Sequence, residues 1–111
     1  MNKSKTPGQQ VREALDRTLG AGMAWDEAEL LTLAAIERAA DRLAVFAARF
    51  DAAAAIPDAS PSLLATLSGE MRLLDGAIQK WSATLDPQNN QAKSLRHVHA
   101  ANSRWHRTSG T

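Results

Sequence analysis

Apolar residues recur through the middle of the chain at alternating spacings of three and four. One run is Leu33, Ile36, Ala40, Leu43, Ala47, Phe50 and Ala54; the second is Leu64, Leu67, Met71, Leu74, Ile78, Trp81 and Leu85. Sustained alternation of this kind puts every member on one stripe of a helix. It is the seam of a coiled coil and favours left-handed supercoiling. The runs predict two long helices, one from Asp26 to about Ala55 and one from Ser60 to Leu85. Pro57 and Pro61 bound the connection between them, and a link that short makes the two helices antiparallel neighbours. The first seam alternates large residues with alanine at 40, 47 and 54, whereas the second is large throughout. Large against small allows close approach and interdigitation. The expected hairpin core is Leu33, Ile36, Leu43, Phe50, Leu67, Met71, Leu74, Ile78 and Trp81.

The ends of these helices carry their own signals. In Trp25-Asp26-Glu27-Ala28-Glu29-Leu30, Asp26 stands at the N-cap and Glu29 at the reciprocal position of a capping box. Trp25 and Leu30 occupy the two positions of a hydrophobic staple. Acids in this turn also suit the positive end of the helix dipole. Ser60 can cap the next helix with Pro61 in its first turn, and Asp86-Pro87 stops it. Gly69 and Gly76 fall inside it. Each weakens the helix by roughly 1 kcal/mol relative to alanine unless close packing needs a small residue. Upstream, Thr6-Pro7-Gly8-Gln9 is a third helix start, with Thr6 as cap and Gln9 completing its box. Val11, Leu15 and Leu19 give that segment a short apolar stripe, and Gly20 and Gly22 end it. A short helix over 7–19 is expected. Beyond the hairpin, 86–94 reads as a linker, and a weakly periodic basic helix is expected from about Ala92 to Arg107.

The fold class is thus all-α: a short N-terminal helix, a long antiparallel helical hairpin and a basic C-terminal tail. Three segments follow: a basic arm with its helix over 1–24, a hairpin oligomerisation core over 25–85, and a linker with basic tail over 86–111. Leu30, Leu31, Val45, Phe46, Leu63 and Leu73 lie off the seams, and one partner helix cannot cover them all. Either the first helix and the tail cover the rest, or further chains pack outside the hairpin. A chain of 111 residues that is periodic over only part of its length builds a small core with a narrow margin of stability. Self-association is therefore expected.

Charge changes the picture more than composition does. Residues 1–24 carry four bases and two acids, a net +2; 25–85 carry five bases and nine acids, a net −4; 86–111 carry four bases and one acid, a net +3. Basic ends around an acidic middle fit contact with nucleic acid or with an acidic partner, and also fit plain solvation. The chain has no cysteine, which removes disulfides, thiol nucleophiles and cysteine-based metal sites. No apolar run is long enough to span a bilayer and no signal-peptide pattern opens the chain. A soluble, intracellular protein without a membrane partner is expected.

Catalytic chemistry finds little support. Glu37 and Asp41 share a helix face, as paired carboxylates for a metal or for acid–base work would, but Arg38 and Arg42 beside them make salt-bridged surface the simpler role. His97, His99 and His106 lack the i, i+4 spacing of a helical zinc pair and have no acidic ligand nearby. There is no phosphate-binding glycine loop, nucleophile elbow or nucleotide fingerprint. No catalytic residue, metal site or cofactor is expected. The tail from Lys93 to Arg107 sets arginines beside a tryptophan. Cations there would meet phosphates while the indole packs on sugar or base; alternatively Trp105 anchors the tail to the hairpin. The candidate DNA contacts are Lys3, Lys5, Arg12 and Arg17 at one end and Lys93, Arg96, Arg104, Trp105 and Arg107 at the other.

Four pieces of the chain together resemble the small terminase subunits of tailed phages of actinobacteria and related prophages. They are the Gly20–Trp25 approach to an acidic helix start, the run Ile36-Glu37-Arg38-Ala39-Ala40-Asp41-Arg42-Leu43, the run Gly69-Glu70-Met71-Arg72-Leu73-Leu74, and the ending Ala100-Ala101-Asn102-Ser103-Arg104-Trp105. The resemblance implies a non-catalytic protein in the cytoplasm of a bacterial host. It would assemble into a homo-oligomeric ring, bind double-stranded viral DNA at the packaging start and regulate a large terminase subunit that holds the ATPase and nuclease. Many relatives carry an N-terminal helix-turn-helix. The two dozen residues before this hairpin are too few for a three-helix domain, so DNA contact would rest on basic ends displayed around the ring, adding through avidity. The competing expectation is a small helical protein-interaction adaptor or antitoxin-like module whose off-seam face meets a different protein.

Each large seam residue contributes roughly 1.5–3 kcal/mol when buried. Leu74→Asp should therefore unfold the hairpin, with loss of helical circular dichroism as the readout; full helicity in that variant would refute the seam.

Overall fold

The computed structural model describes residues 4–87. Among them are three α-helices and no strand: α1 (Pro7–Asp16), α2 (Glu27–Ala54) and α3 (Pro61–Ala83). All three N-termini are built as their sequences dictate. Thr6 Oγ1 accepts from the Gln9 amide at 3.1 Å while Gln9 Oε1 accepts from the Thr6 amide at 2.9 Å. Asp26 Oδ1 accepts from the Glu29 amide at 2.7 Å, and Glu29 Oε1 accepts from the Asp26 amide at 3.1 Å. Ser60 Oγ accepts from the Leu63 amide at 3.2 Å. Each bond satisfies an amide that the first helical turn leaves without an intrahelical partner.

The C-termini depart from the sequence expectation. The first helix stops at Asp16, three residues short of Leu19. There the Thr18 hydroxyl donates to the Leu15 carbonyl, and the Thr18 and Leu19 amides turn back to Leu15 and Asp16. A threonine hydroxyl that takes a backbone carbonyl competes with the helical ladder. Thr84 does the same to α3, donating to the Trp81 carbonyl at 2.6 Å, and that helix ends two residues before Leu85. Of the two glycines expected to end α1, Gly22 alone takes a positive φ, at 75°. The staple is incomplete as well: Trp25 is buried, but Leu30 is 42% exposed.

The hairpin is antiparallel. The connection over 55–60 reverses the chain, and the far end of α3 returns to the start of α2, where the Asp86 amide donates to Glu29 Oε2 at 3.2 Å. Glu29 is itself buried, so one carboxylate caps α2 through one oxygen and holds the chain leaving α3 through the other.

Both α1 and α3 pack on α2, and they do not pack on each other. This explains how burial is distributed along the seams. Leu33 and Ile36 are completely buried, and Ala39 and Ala40 nearly so, because α2 is covered from two sides there. Leu43, Ala47 and Phe50 are half-buried and Ala54 is exposed. On α3 only Leu67 is buried; Leu64, Met71, Leu74, Ile78 and Trp81 are half-buried, since among the described helices α3 has α2 alone as a neighbour. Among the off-seam residues Phe46 is half-buried, whereas Leu31, Val45, Leu63 and Leu73 are exposed.

The helical glycines divide by the same logic. A Cβ at Gly69 or Gly76 would meet nothing, whereas one at Gly8 would strike the Glu37 carbonyl and lie 2.9 and 3.0 Å from the Asp41 carboxylate oxygens. Gly76→Ala should accordingly stabilise the fold by about 0.5–1 kcal/mol, while Ile36→Ala should cost about 2–5 kcal/mol. Urea denaturation of both variants checks this; a loss of stability at Gly76→Ala would show that a close neighbour occupies that face.

Candidate functional site

Two features of the described residues can act on something outside the chain: the charged joint that holds α1, and the uncovered apolar flank of the hairpin.

The joint begins with Gly8. Lacking a side chain, it lets the first turn of α1 lie directly on α2, where its amide donates to Asp41 Oδ1 at 2.8 Å. A carboxylate at a helix N-terminus satisfies an unpaired amide and faces the positive end of the dipole. One turn further along α1, the Arg12 guanidinium donates through Nε to Asp16 Oδ1 at 2.9 Å and through Nη1 to Glu37 Oε2 at 3.3 Å. Asp16 Oδ1 also accepts from the indole Nε1 of Trp25 at 2.8 Å. The joint therefore runs from Trp25 at the foot of α2, through Asp16 and Arg12 on α1, back to Glu37 and Asp41 on α2.

These contacts set the titration of the joint. The hydrogen bond to Asp16 is the main cause that raises the Arg12 pKa, reinforced by Asp16's charge and by Glu37, against a smaller loss from burial. Burial pushes Asp16 up, but the Trp25 and Arg12 hydrogen bonds with the Arg12 charge outweigh it and hold its carboxyl below the ordinary 3.8. The Asp16 side chain is 42% exposed, so solvent screening keeps each ion pair within about 0–1 kcal/mol.

The sequence-derived candidates fall in different places. Arg12 is half-buried in the joint. Lys5 pairs with Glu13 at 2.7 Å on the exposed side of α1, and Arg17 is exposed just past the end of the helix. Lys3, Lys93, Arg96, Arg104, Trp105 and Arg107 lie outside the described residues, as do the three histidines and the expected C-terminal helix. Glu37 and Asp41 do share a face, but their partners are Arg12 and the Gly8 amide rather than Arg38 and Arg42, which are exposed. Sequence reasoning missed this joint because its members are far apart in the chain. The one local sign was a glycine in the first turn of a well-capped helix, where alanine would favour the helix.

On the other flank, Leu31, Thr32, Ala35 and Trp81 line an open, mainly apolar groove of about 260 Å³. Leu31 is 74% exposed beside it, and Leu73 on α3 is 70% exposed. Among the described residues no group of three or more His, Cys, Asp or Glu is placed to hold a metal ion, and no helix is long and apolar enough to cross a membrane. Compared with protein-family models, curated proteins and solved structures, the chain matches none.

Asp16 gives the joint a defined acid response. Above pH 3.8 the carboxylate is ionised in both folded and unfolded chains and its contribution is complete; as pH falls through the lower value of the folded chain, the contribution disappears. The stability difference between wild type and Asp16→Asn should be constant above about pH 5 and shrink below it. Thermal unfolding across that range is the measurement, and a difference that widens in acid would refute the assignment.

Proposed function

We propose that this chain is a non-catalytic, self-assembling subunit of a viral DNA-packaging machine, of the kind the small terminase subunits represent. The observation that carries the reading is a hairpin with large apolar residues uncovered on both helices. Leu31 and Leu73 stand 74% and 70% exposed, and the α3 seam is half-buried along most of its length. Apolar surface of this kind is a mark of protein–protein contact, and a core this small gains stability from association. The four sequence segments described above supply the link to terminases, and the basic ends supply the affinity for DNA.

In this reading the hairpin forms the wall of a ring, the ends carry cations toward double-stranded DNA, and a large terminase subunit in the bacterial cytoplasm does the chemistry. Lys5 and Arg17 are exposed cations of the arm, and Lys93, Arg96, Arg104 and Arg107 are cations of the tail. The groove beside Trp81 favours a second reading, a helical adaptor that receives an apolar side chain of a different protein.

Native mass spectrometry over a range of concentrations separates the two. A packaging subunit should appear as an oligomer larger than a dimer, and its DNA affinity should fall linearly on a log–log plot against salt. Reversing Arg104 and Arg107 to glutamate should weaken binding and reduce that slope by about 1 for each phosphate no longer neutralised. A monomer or dimer at every concentration, without DNA binding at low salt, would overturn the proposal.

A further inference from the structure

We propose that α1 is an autoinhibitory latch: docked on α2 it surrenders Arg12 to Glu37, and a DNA duplex competes with Glu37 and Asp41 for the arm. This rests on the DNA-binding reading above and adds its regulation.

Three observations point to it. First, among the described helices α1 has one neighbour. It packs on α2 and not on α3, and Gly8 is its one buried residue. Val11 and Leu15 are half-buried, so apolar burial alone holds the helix weakly. Second, the specific bonds of the joint are polar: Gly8 to Asp41, Arg12 to Glu37 and Trp25 to Asp16. The Arg12–Glu37 ion pair among them is screened by salt and open to a competing anion. Third, the segment between Asp16 and Glu27 lacks helix or strand and contains Gly22 in the left-handed conformation, a joint able to absorb a change of direction.

The charges make docking and phosphate binding exclude each other. While α1 is docked, Arg12 lies between Asp16 and Glu37, and a phosphate approaching it meets the Glu37 and Asp41 carboxylates on the same face. Undocking leaves Glu37 and Asp41 behind on α2; Asp16 and Glu13 travel with the arm beside Arg12 and Lys5, so Arg12 loses one of its two acidic partners and is presented with Arg17 on a mobile helix. A duplex that binds only the undocked arm shifts the population toward it, and its apparent affinity is reduced by the fraction of time the arm stays docked.

Gly8 provides a test that alters no charge. The Cβ of Gly8→Ala would strike the Glu37 carbonyl, a backbone atom fixed within α2, while alanine keeps α1 helical. The full-length variant is compared with wild type in two measurements: hydrogen exchange of the α1 amides, and affinity for a short mixed-sequence DNA duplex at low salt. Faster exchange with an affinity gain of roughly threefold or more is expected. The double variant Glu37→Gln, Asp41→Asn should gain more than Glu70→Gln, Asp75→Asn, which removes two exposed acids from α3 and leaves the joint intact. Faster exchange with unchanged or lower affinity would overturn the latch while leaving DNA binding in place. Unchanged exchange would show that this joint does not hold α1 and would overturn it as well. No binding by wild type or any variant would remove the DNA-binding reading and the latch together.

Discussion

Everything in this fold depends on α2 being shared. Among the described helices it is the one with two neighbours, and the side chains there that leave solvent completely, Leu33 and Ile36, lie where both neighbours reach it. A helix stripe becomes a core only when its whole width is covered. Where one partner covers it, as along most of α3, the same large residues stay half-exposed although they follow the same spacing. Coverage, rather than the hydrophobicity of the seam, decides where the core lies.

The two neighbours are held by different physics. Apolar side chains of the two seams attach α3, and the buried Glu29 adds a polar tie where the ends of the hairpin meet. A lone buried carboxylate would be costly, but here both oxygens accept backbone amides, which is how buried charge is tolerated. Attachment of α1 relies on a close backbone approach at Gly8, on the partly exposed Arg12–Glu37 ion pair and on the Trp25–Asp16 hydrogen bond. Apolar contacts persist in salt, whereas exposed ion pairs are screened by it. The hairpin and the arm therefore respond differently to the same change in solution.

The parts legible in the sequence are those specified locally. The capping boxes at Thr6 and Asp26 and the Ser60 cap all depend on residues within a turn, and the structure contains each of them; the two long helices follow the seams, with Ala54 exposed and Leu85 beyond the helix. The helix ends are less legible. Leu19 and Leu85 continue the apolar spacing, but the hydroxyls of Thr18 and Thr84 take backbone carbonyls first. Least legible is the joint, since nothing in the order of residues brings Gly8 to Asp41 or Glu29 to Asp86. Arg38 and Arg42 are the nearest bases to Glu37 and Asp41 in sequence, yet a tertiary contact from Arg12 displaces them.

That displacement alters how the charge partition is understood. Counted along the chain, the arm is basic and the hairpin acidic, as if the arm were free to meet an external polyanion. In the fold, part of the acidity of the hairpin is directed at the arm. Glu37 takes an Arg12 contact, and Asp41 takes the amide at the α1 N-terminus. Opposite charges in successive segments are thus first a means of packing one segment on the next. They serve an outside partner only to the extent that this internal pairing can be exchanged for it. The contacts of α3 with α2 include no ion pair with the arm, so the exchange concerns the arm.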